Sequence, residues 1–168
     1  MHKNTIETKF SFWETQTYFK DIDLIIVGSG IVGLNAAISY KEKHKKAKVV
    51  VIERGILPHG ASTKNAGFAC FGSVSELLSD LKKNKEELVW QTVEMRIKGL
   101  ALLKKRLGDK QIDYKELGGY ELFDSKNKFD ECSHSIDYFN KQIKPITGVK
   151  NTYSIESKKI EHFQLLYL

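Results

Sequence analysis

A short apolar run that empties into glycines constrains this chain more than any other feature: Ile22-Asp23-Leu24-Ile25-Ile26-Val27-Gly28-Ser29-Gly30-Ile31-Val32-Gly33. A second apolar run, Val49-Val50-Val51-Ile52, ends in Glu53. Strand, glycine turn, helix, strand and acid, in that order, predict a βαβ unit that grips the adenine half of a dinucleotide. Gly28 lets the backbone turn sharply out of the first strand. Gly30 leaves room for a pyrophosphate to approach the main chain, and Gly33 lets the helix pack closely on the strand, with Ala37 keeping the same face small. The helix is expected from Ile31 to about Lys45. Its first-turn amides lack intrahelical acceptors, and its dipole favours negative charge at that end. Glu53 lies about 20 residues beyond Gly33, where a carboxylate accepts both ribose hydroxyls and repels a 2′-phosphate, which disfavours NADP.

Composition narrows the class. The 168 residues are of single-domain length with 41% apolar content, enough for a core. The net charge of +6 comes mainly from lysines. Runs such as Lys41-Glu42-Lys43-His44-Lys45-Lys46 read as solvated helix faces. With no aromatic interleaving or recognition motif, a nucleic-acid partner is not expected. Cys70 and Cys132 are too few and too far apart for a disulfide framework or a metal site, which points to reduced thiols in a cytoplasm. His44, His59, His134 and His162 show no metal-ligand spacing. The first twenty residues contain no continuous apolar core, so no secretory signal is expected, and the longest apolar runs are strand length, so no transmembrane segment is expected. Phe10, Phe12, Trp13, Tyr18 and Phe19 are expected to pack as a lead-in against the nucleotide-binding unit.

After Glu53 the stretch from Arg54 to Gly72 is long and rich in small residues, the kind of loop that tends to carry function. A helix is expected after Ser73, with Glu76 completing a capping box, and a longer one from near Asn84, with Glu87 in the box position. The longer helix carries Val89, Val93, Ile97, Leu100 and Leu107 on one face and stops at Gly108. From Gln111 the character changes. Ile112-Asp113-Tyr114-Lys115 and Gly119-Tyr120-Glu121-Leu122-Phe123 alternate as antiparallel strands do. A helix from about Lys128 to Gln142, ended by Pro145, and a short strand between Thr152 and Leu168 complete the reading.

Gly28-Ser29-Gly30-Ile31-Val32-Gly33, Glu53-Arg54-Gly55 and Gly60-Ala61-Ser62-Thr63-Lys64-Asn65-Ala66-Gly67 together resemble the D-amino-acid-oxidase superfamily of FAD-dependent oxidoreductases. This superfamily includes glycine and sarcosine oxidases and amino-acid dehydrogenases. The likeness is specific from about Asp21 to Phe71; from there to Ile146 it is an order of helices and strands, with Gly118 to Phe123 similar to a substrate-domain strand. The resemblance implies an α/β fold: a Rossmann-like FAD-binding βαβ unit followed by the beginning of an α+β substrate domain. The corresponding divisions are a lead-in over residues 1–20, an FAD-binding portion with its following helices over 21–110, and a partial substrate-domain segment over 111–168.

The resemblance further implies that Gly28, Ser29, Gly30, Ile31, Val32 and Gly33 surround the FAD pyrophosphate and that Glu53 holds the adenosine ribose. Arg54 lies near the adenosine on this likeness, or else forms a surface salt bridge. Ala61, Ser62, Thr63, Asn65 and Ala66 line the pyrophosphate and flavin side, with Gly67 letting the chain pass close to the isoalloxazine; ordinary turn hydroxyls are the alternative for Ser62 and Thr63. Some relatives attach flavin through a cysteine, generally elsewhere in the chain, so Cys70 is expected as a small buried hydrophobe. Members of the superfamily are much longer and return to the nucleotide-binding sheet with later strands, so the chain reads as an N-terminal fragment or truncated reading frame. A two-strand sheet of this kind exposes an edge. The implied activity is oxidation of a small amine or amino acid by hydride transfer to flavin. No residue is assigned as catalytic acid or base. The alternatives are a flavin-dependent dehydrogenase of a hydroxy acid or polyol phosphate, and a non-catalytic adenine-dinucleotide-binding module.

Overall fold

The computed structural model describes residues 10–156 and the backbone of 166–167, and the chain divides into two units, Met1–Phe68 and Ala69–Leu168. In the first unit Ser11 caps a helical turn, α1 (Phe12–Glu14), that runs on into a π-helical turn, Thr15–Phe19. The Ser11 hydroxyl accepts from the Glu14 amide at 3.1 Å, and the Glu14 carboxylate accepts from the Ser11 amide at 2.7 Å, a reciprocal cap. The five aromatic residues of this segment do not enter a core. All are exposed, Trp13 at 75%, and their ring contacts are with one another, Phe10 on Phe19 and Phe12 on Trp13. A turn this short has no second face to bury, so the rings pack locally.

Strand β1 (Leu24–Val27) and strand β2 (Val49–Ile52) pair in parallel, Leu24 opposite Val49 through Val27 opposite Ile52, and helix α2 (Ile31–Lys43) joins them and packs on both. A parallel pair with its crossover helix is α/β in character. The base of the pair is tied by polar contacts: the Asp23 carboxylate accepts from the Lys48 amide at 2.7 Å, and Lys48 Nζ donates to the Lys20 carbonyl at 2.6 Å. The helix ends two residues before the expected Lys45, where Lys41 Nζ turns back onto the carbonyls of Lys45 and Ala47. Residues 41–46 are solvated throughout. One helix can cover only one side of two strands, so Ile25, Val27 and Ile52 remain exposed, Val27 at 85%. No residue of this unit is fully buried among those described.

The second unit is built on three helices: α3 (Val74–Lys83), α4 (Glu86–Leu107) and α5 (Lys126–Thr147), with a short antiparallel pair, β3 (Leu122–Phe123) and β4 (Leu166–Tyr167). Cys132, Ile136, Phe139 and Ile143 follow helical spacing along α5 and meet Val74 and Leu77 of α3, Val89 and Val93 of α4, and Phe123. Ser73 caps α3 as its sequence predicts, its hydroxyl accepting from the Glu76 amide at 3.4 Å. The reciprocal half of the box is absent, because the Glu76 carboxylate pairs with Arg96 at 3.1 Å, and Arg96 also donates to the Phe71 carbonyl. Glu121, just before β3, caps α3, accepting from the Ser75 amide and from the Ser73 and Ser75 hydroxyls, a favourable place for a carboxylate at a helix N-terminus.

Several sequence expectations differ from this architecture. Asn84 ends α3 rather than starting α4, donating from its side chain to the Asp80 carbonyl at 3.1 Å, and Lys85 is the N-cap of α4. Of the α4 stripe Val89 and Val93 are buried, Ile97 packs at the core margin and Leu107 is exposed. Ile112–Lys115 is not a strand: its first two residues end a turn over 109–113, closed by amide bonds from Gln111 to Gly108 and from Tyr114 to Asp109, with Asp113 at φ 47°. Pro145 lies inside α5 instead of ending it. It is exposed in the last turns, where one missing amide costs least, and Ile143 and Ile146 on the core side hold the helix through it. Gly148, at φ 74°, makes the stop. The expected tail strand falls at Leu166–Tyr167; residues 157–165, His162 among them, lie outside the described residues.

The expectation that Cys70 is buried is also overturned. Cys70 is exposed, because residues 66–70 form neither helix nor strand and its neighbour Phe68 is 87% exposed. Cys132 is the buried one, and burial, followed by the charges of Glu121 and Glu131, pushes its thiol up to about 11. The fold therefore favours the neutral thiol. Its contribution is complete below the ordinary thiol range and is lost as pH rises through about 11. An aromatic disulfide reagent at neutral pH is expected to titrate Cys70 at once and Cys132 only after denaturation, and equal rates for both in the native protein would contradict this packing.

Candidate functional site

The site grows from the way β1 ends. The Gly28 amide donates to the Ile52 carbonyl at 2.7 Å, extending the ladder by one residue, and the chain then leaves at φ 98°. Nothing stands where a Gly28 Cβ would be, so conformation and not crowding asks for glycine. Gly33 is the opposite case. A Cβ there would stand 2.1 Å from the Gly28 carbonyl oxygen and 3.2 Å from the Ile26 side chain, so glycine is what lets α2 lie this close to the strand.

Pairing Val27 with Ile52 brings the next residues of both strands together, and Glu53 faces the turn. One carboxylate oxygen of Glu53, Oε2, accepts from both the amide and the hydroxyl of Ser29, each at 2.9 Å. The other, Oε1, accepts from the Arg54 amide at 3.1 Å. These bonds hold its carboxyl below the usual carboxylate range, the Ser29 amide contributing most and the Ser29 hydroxyl next. The stabilisation is present above the ordinary carboxylate range and is lost as pH falls through the lowered value. Arg54 is exposed just beyond.

Gly30 is the N-cap of α2 and offers no side chain to its first turn. The gap is met from thirty-one residues away: Ser62, in the 3₁₀ turn Ala61–Thr63, places its hydroxyl 2.9 Å from the Ile31 amide and accepts from it. The same oxygen would lie 3.1 Å from a Cβ on Gly30. The small-residue loop thus returns to the helix mouth. The Thr63 hydroxyl donates to the carbonyls of Pro58, at 2.9 Å, and Gly60, at 3.2 Å. The Asn65 amide group donates to the carbonyls of Ala61 and Ser62, while its oxygen accepts from the Gly67 amide at 2.8 Å. Gly67 follows at φ 73°. Thr63 and Asn65 brace the loop, Ser62 meets the helix, and Ala61 and Ala66 are exposed with no polar side chain to offer. Ile31 and Val32 point their side chains largely to solvent, so any part they take at the helix mouth is through the main chain, where the Ile31 amide already donates to Ser62.

Helix-mouth amides beside a carboxylate form a donor and acceptor set for a diphosphate joined to a diol. Residues 23–157 match the model of the family described as FAD dependent oxidoreductase. The chain belongs to that family. FAD is the cofactor of these oxidoreductases, and the set fits its adenosine diphosphate half: a helix N-terminus whose N-cap glycine brings no side chain of its own, approached through glycines, and an ionised Glu53 at the neighbouring strand end. No characterised protein and no solved structure matches the chain. Among the described residues of this FAD-dependent oxidoreductase, no group of His, Cys, Asp and Glu could hold a metal ion, and no helix is long and apolar enough to cross a membrane.

Two contacts were not read from the sequence. The Ser29 hydroxyl on Glu53 had a signal, a hydroxyl residue between the first two glycines with an acid at the end of the next strand. Ser62 on Ile31 had none, since nothing local links positions thirty-one residues apart.

Proposed function

We propose that this chain is the cofactor-binding portion of a FAD-dependent oxidoreductase that oxidises a small amine or amino acid, with residues 21–110 serving FAD and 111–168 belonging to the substrate side. The observation that supports it most is the junction where Glu53, the glycine turn and Ser62 converge on one helix N-terminus. In this reading the amides from Gly28 to Gly33 receive the pyrophosphate and Glu53 accepts the adenosine ribose hydroxyls. Arg54 flanks the adenosine. Ser62 shares the helix mouth with the phosphates, and Ala61, Thr63, Asn65, Ala66 and Gly67 shape the wall that continues toward the flavin. The bound flavin supplies the hydride-accepting chemistry; the protein orients it and sets its electrostatics. A substrate carbon beside an amine would give up a hydride while the nitrogen loses a proton, and water would then cleave the resulting imine to a carbonyl compound, a 2-oxo acid where the substrate is an amino acid, with release of ammonia or an amine. Unpaired Cys70 and Cys132 agree with a reducing compartment such as the cytoplasm.

Titrating the purified chain with FAD and with ADP tests the proposal. Saturable binding of both is expected, with a flavin absorbance that stays with the protein on gel filtration. Glu53→Gln removes the charge that accepts the ribose hydroxyls and is expected to weaken ADP about tenfold or more, in line with a charged hydrogen bond. Binding of ADP without FAD would favour a non-catalytic nucleotide module. Indifference of both ligands to Glu53→Gln would overturn the site.

A further inference from the structure

Resting on that reading of Glu53, we propose that the Ser29 hydroxyl is a positioning group: it locks the Glu53 carboxylate in the orientation that meets the adenosine ribose. A serine between two turn glycines would ordinarily be assigned to the phosphates. Here its side chain faces the other way. Its hydroxyl lies 2.9 Å from Glu53 Oε2, the oxygen that the Ser29 amide also reaches at 2.9 Å. Two donors from one residue converge on one oxygen while main-chain amides hold the carboxylate from its other side, and together they restrict its rotation more than the amides do without the hydroxyl. The carboxylate also accepts from the following main chain, from the Arg54 amide on Oε1 at 3.1 Å and from the Gly55 amide, and a carboxylate has about four lone-pair sites, so it keeps capacity for sugar hydroxyls.

The sequence makes this device possible at little conformational cost. Ser29 is half-buried and sits between Gly28, which takes the left-handed turn, and Gly30, which begins α2. Serine therefore carries none of the backbone strain, and its short side chain reaches across the 24-residue separation because Val27 and Ile52 are paired. An alanine or glycine would preserve the amide bond and lose the hydroxyl bond. The titratable group on the loop after Glu53 is His59, whose ring would stand 3.4 Å from a Cβ on Gly55. Arg54 follows Glu53 just past the end of β2, while Asp23 and Lys48 join each other at the opposite end of β1 and β2. α2 places Lys41 and Lys43 at its far C-terminal end. The lowered carboxyl of Glu53 agrees with hydrogen bonding from Ser29 as its main cause.

The test uses the full chain and its Ser29→Ala and Ser29→Thr variants, with two measurements. One is ADP and FAD binding between pH 4 and 8; the other is the carboxyl carbon titration of Glu53 by NMR without nucleotide. Ser29→Ala is expected to weaken ADP about fivefold at neutral pH, to shift the acid limb of binding to higher pH, and to raise the Glu53 titration toward the ordinary carboxylate value. Ser29→Thr restores the hydroxyl and is expected to recover both. A phosphate-contacting serine would lose affinity with no movement of the Glu53 titration, and that result overturns the positioning role, as does Ser29→Ala behaving like the wild type. Failure of the wild type to bind either nucleotide would instead sink the site reading itself, and with it the role toward ribose, even where the titration still moves.

Discussion

Gly33→Ala is expected to destabilise the first unit by about 3 kcal/mol, at the upper end of what overpacking costs, and to weaken ADP and FAD by well over tenfold. The added Cβ meets main chain: it would stand 2.1 Å from the Gly28 oxygen, a distance no side-chain rotation relieves. Either α2 lifts from β1 or the turn opens, and both movements disperse the amides at the helix mouth. Gly60→Ala is the control. It has open space and φ −82°, so stability should change by no more than about 0.5 kcal/mol. Urea denaturation and ADP titration of both variants would decide it. Equal behaviour of the two would show that close approach of helix and strand is not what glycine provides at position 33.

Phe139→Ala should have the largest effect in the second unit, about 4 kcal/mol. Its ring is completely enclosed and meets Trp90 at 5.8 Å, Tyr138 at 5.4 Å and Tyr153 at 6.3 Å between ring centres. Truncation leaves a cavity bordered by three aromatic groups, and polar contacts fix two of them, Tyr138 and Tyr153, against collapsing inward. The Tyr138 hydroxyl donates to Glu86 at 2.6 Å, and the Tyr153 hydroxyl donates to the Gly72 carbonyl at 2.8 Å. Asn140 adds rigidity by accepting from the amides of Thr152 and Tyr153 and donating back to the Tyr153 carbonyl. With total stabilities of about 5–15 kcal/mol typical of such domains, a loss of this size should be visible as a large fall in the urea midpoint followed by Trp90 fluorescence. A loss under about 1 kcal/mol would mean the aromatic cluster is loosely packed.

What could be read from the residues was what local chemistry decides. The order of β1, glycine turn, α2 and β2 follows from apolar runs separated by residues that either permit or forbid a turn, and Ser73 marks a helix start because its hydroxyl serves an amide three residues away. The errors lie where local patterns admit two outcomes. Ile112-Asp113-Tyr114-Lys115 alternates, but alternation needs a neighbouring strand to become β structure, and Asp113 instead takes a left-handed turn. Pro145 breaks a helix only if nothing holds the residues around it, and Ile143 and Ile146 do. Whether a cysteine is inside depends on tertiary contacts that neither Cys70 nor Cys132 advertises. The candidate site divides along the same line. Gly28, Gly33 and Glu53 announce themselves by type and spacing, whereas the bracing by Thr63 and Asn65 and the return of Ser62 to α2 depend on how a long loop closes.

Val27 and its exposed neighbours carry one more consequence. A pair of strands under one helix, without a dry interior, is held chiefly by ladder bonds and turn contacts that water competes for. The share of molecules in which this part is ordered then follows mass action, and a ligand at a hundred times its dissociation constant adds about 2.7 kcal/mol. Nucleotide supply would thus govern not only occupancy but also how long the β1–β2 region survives proteases and heat.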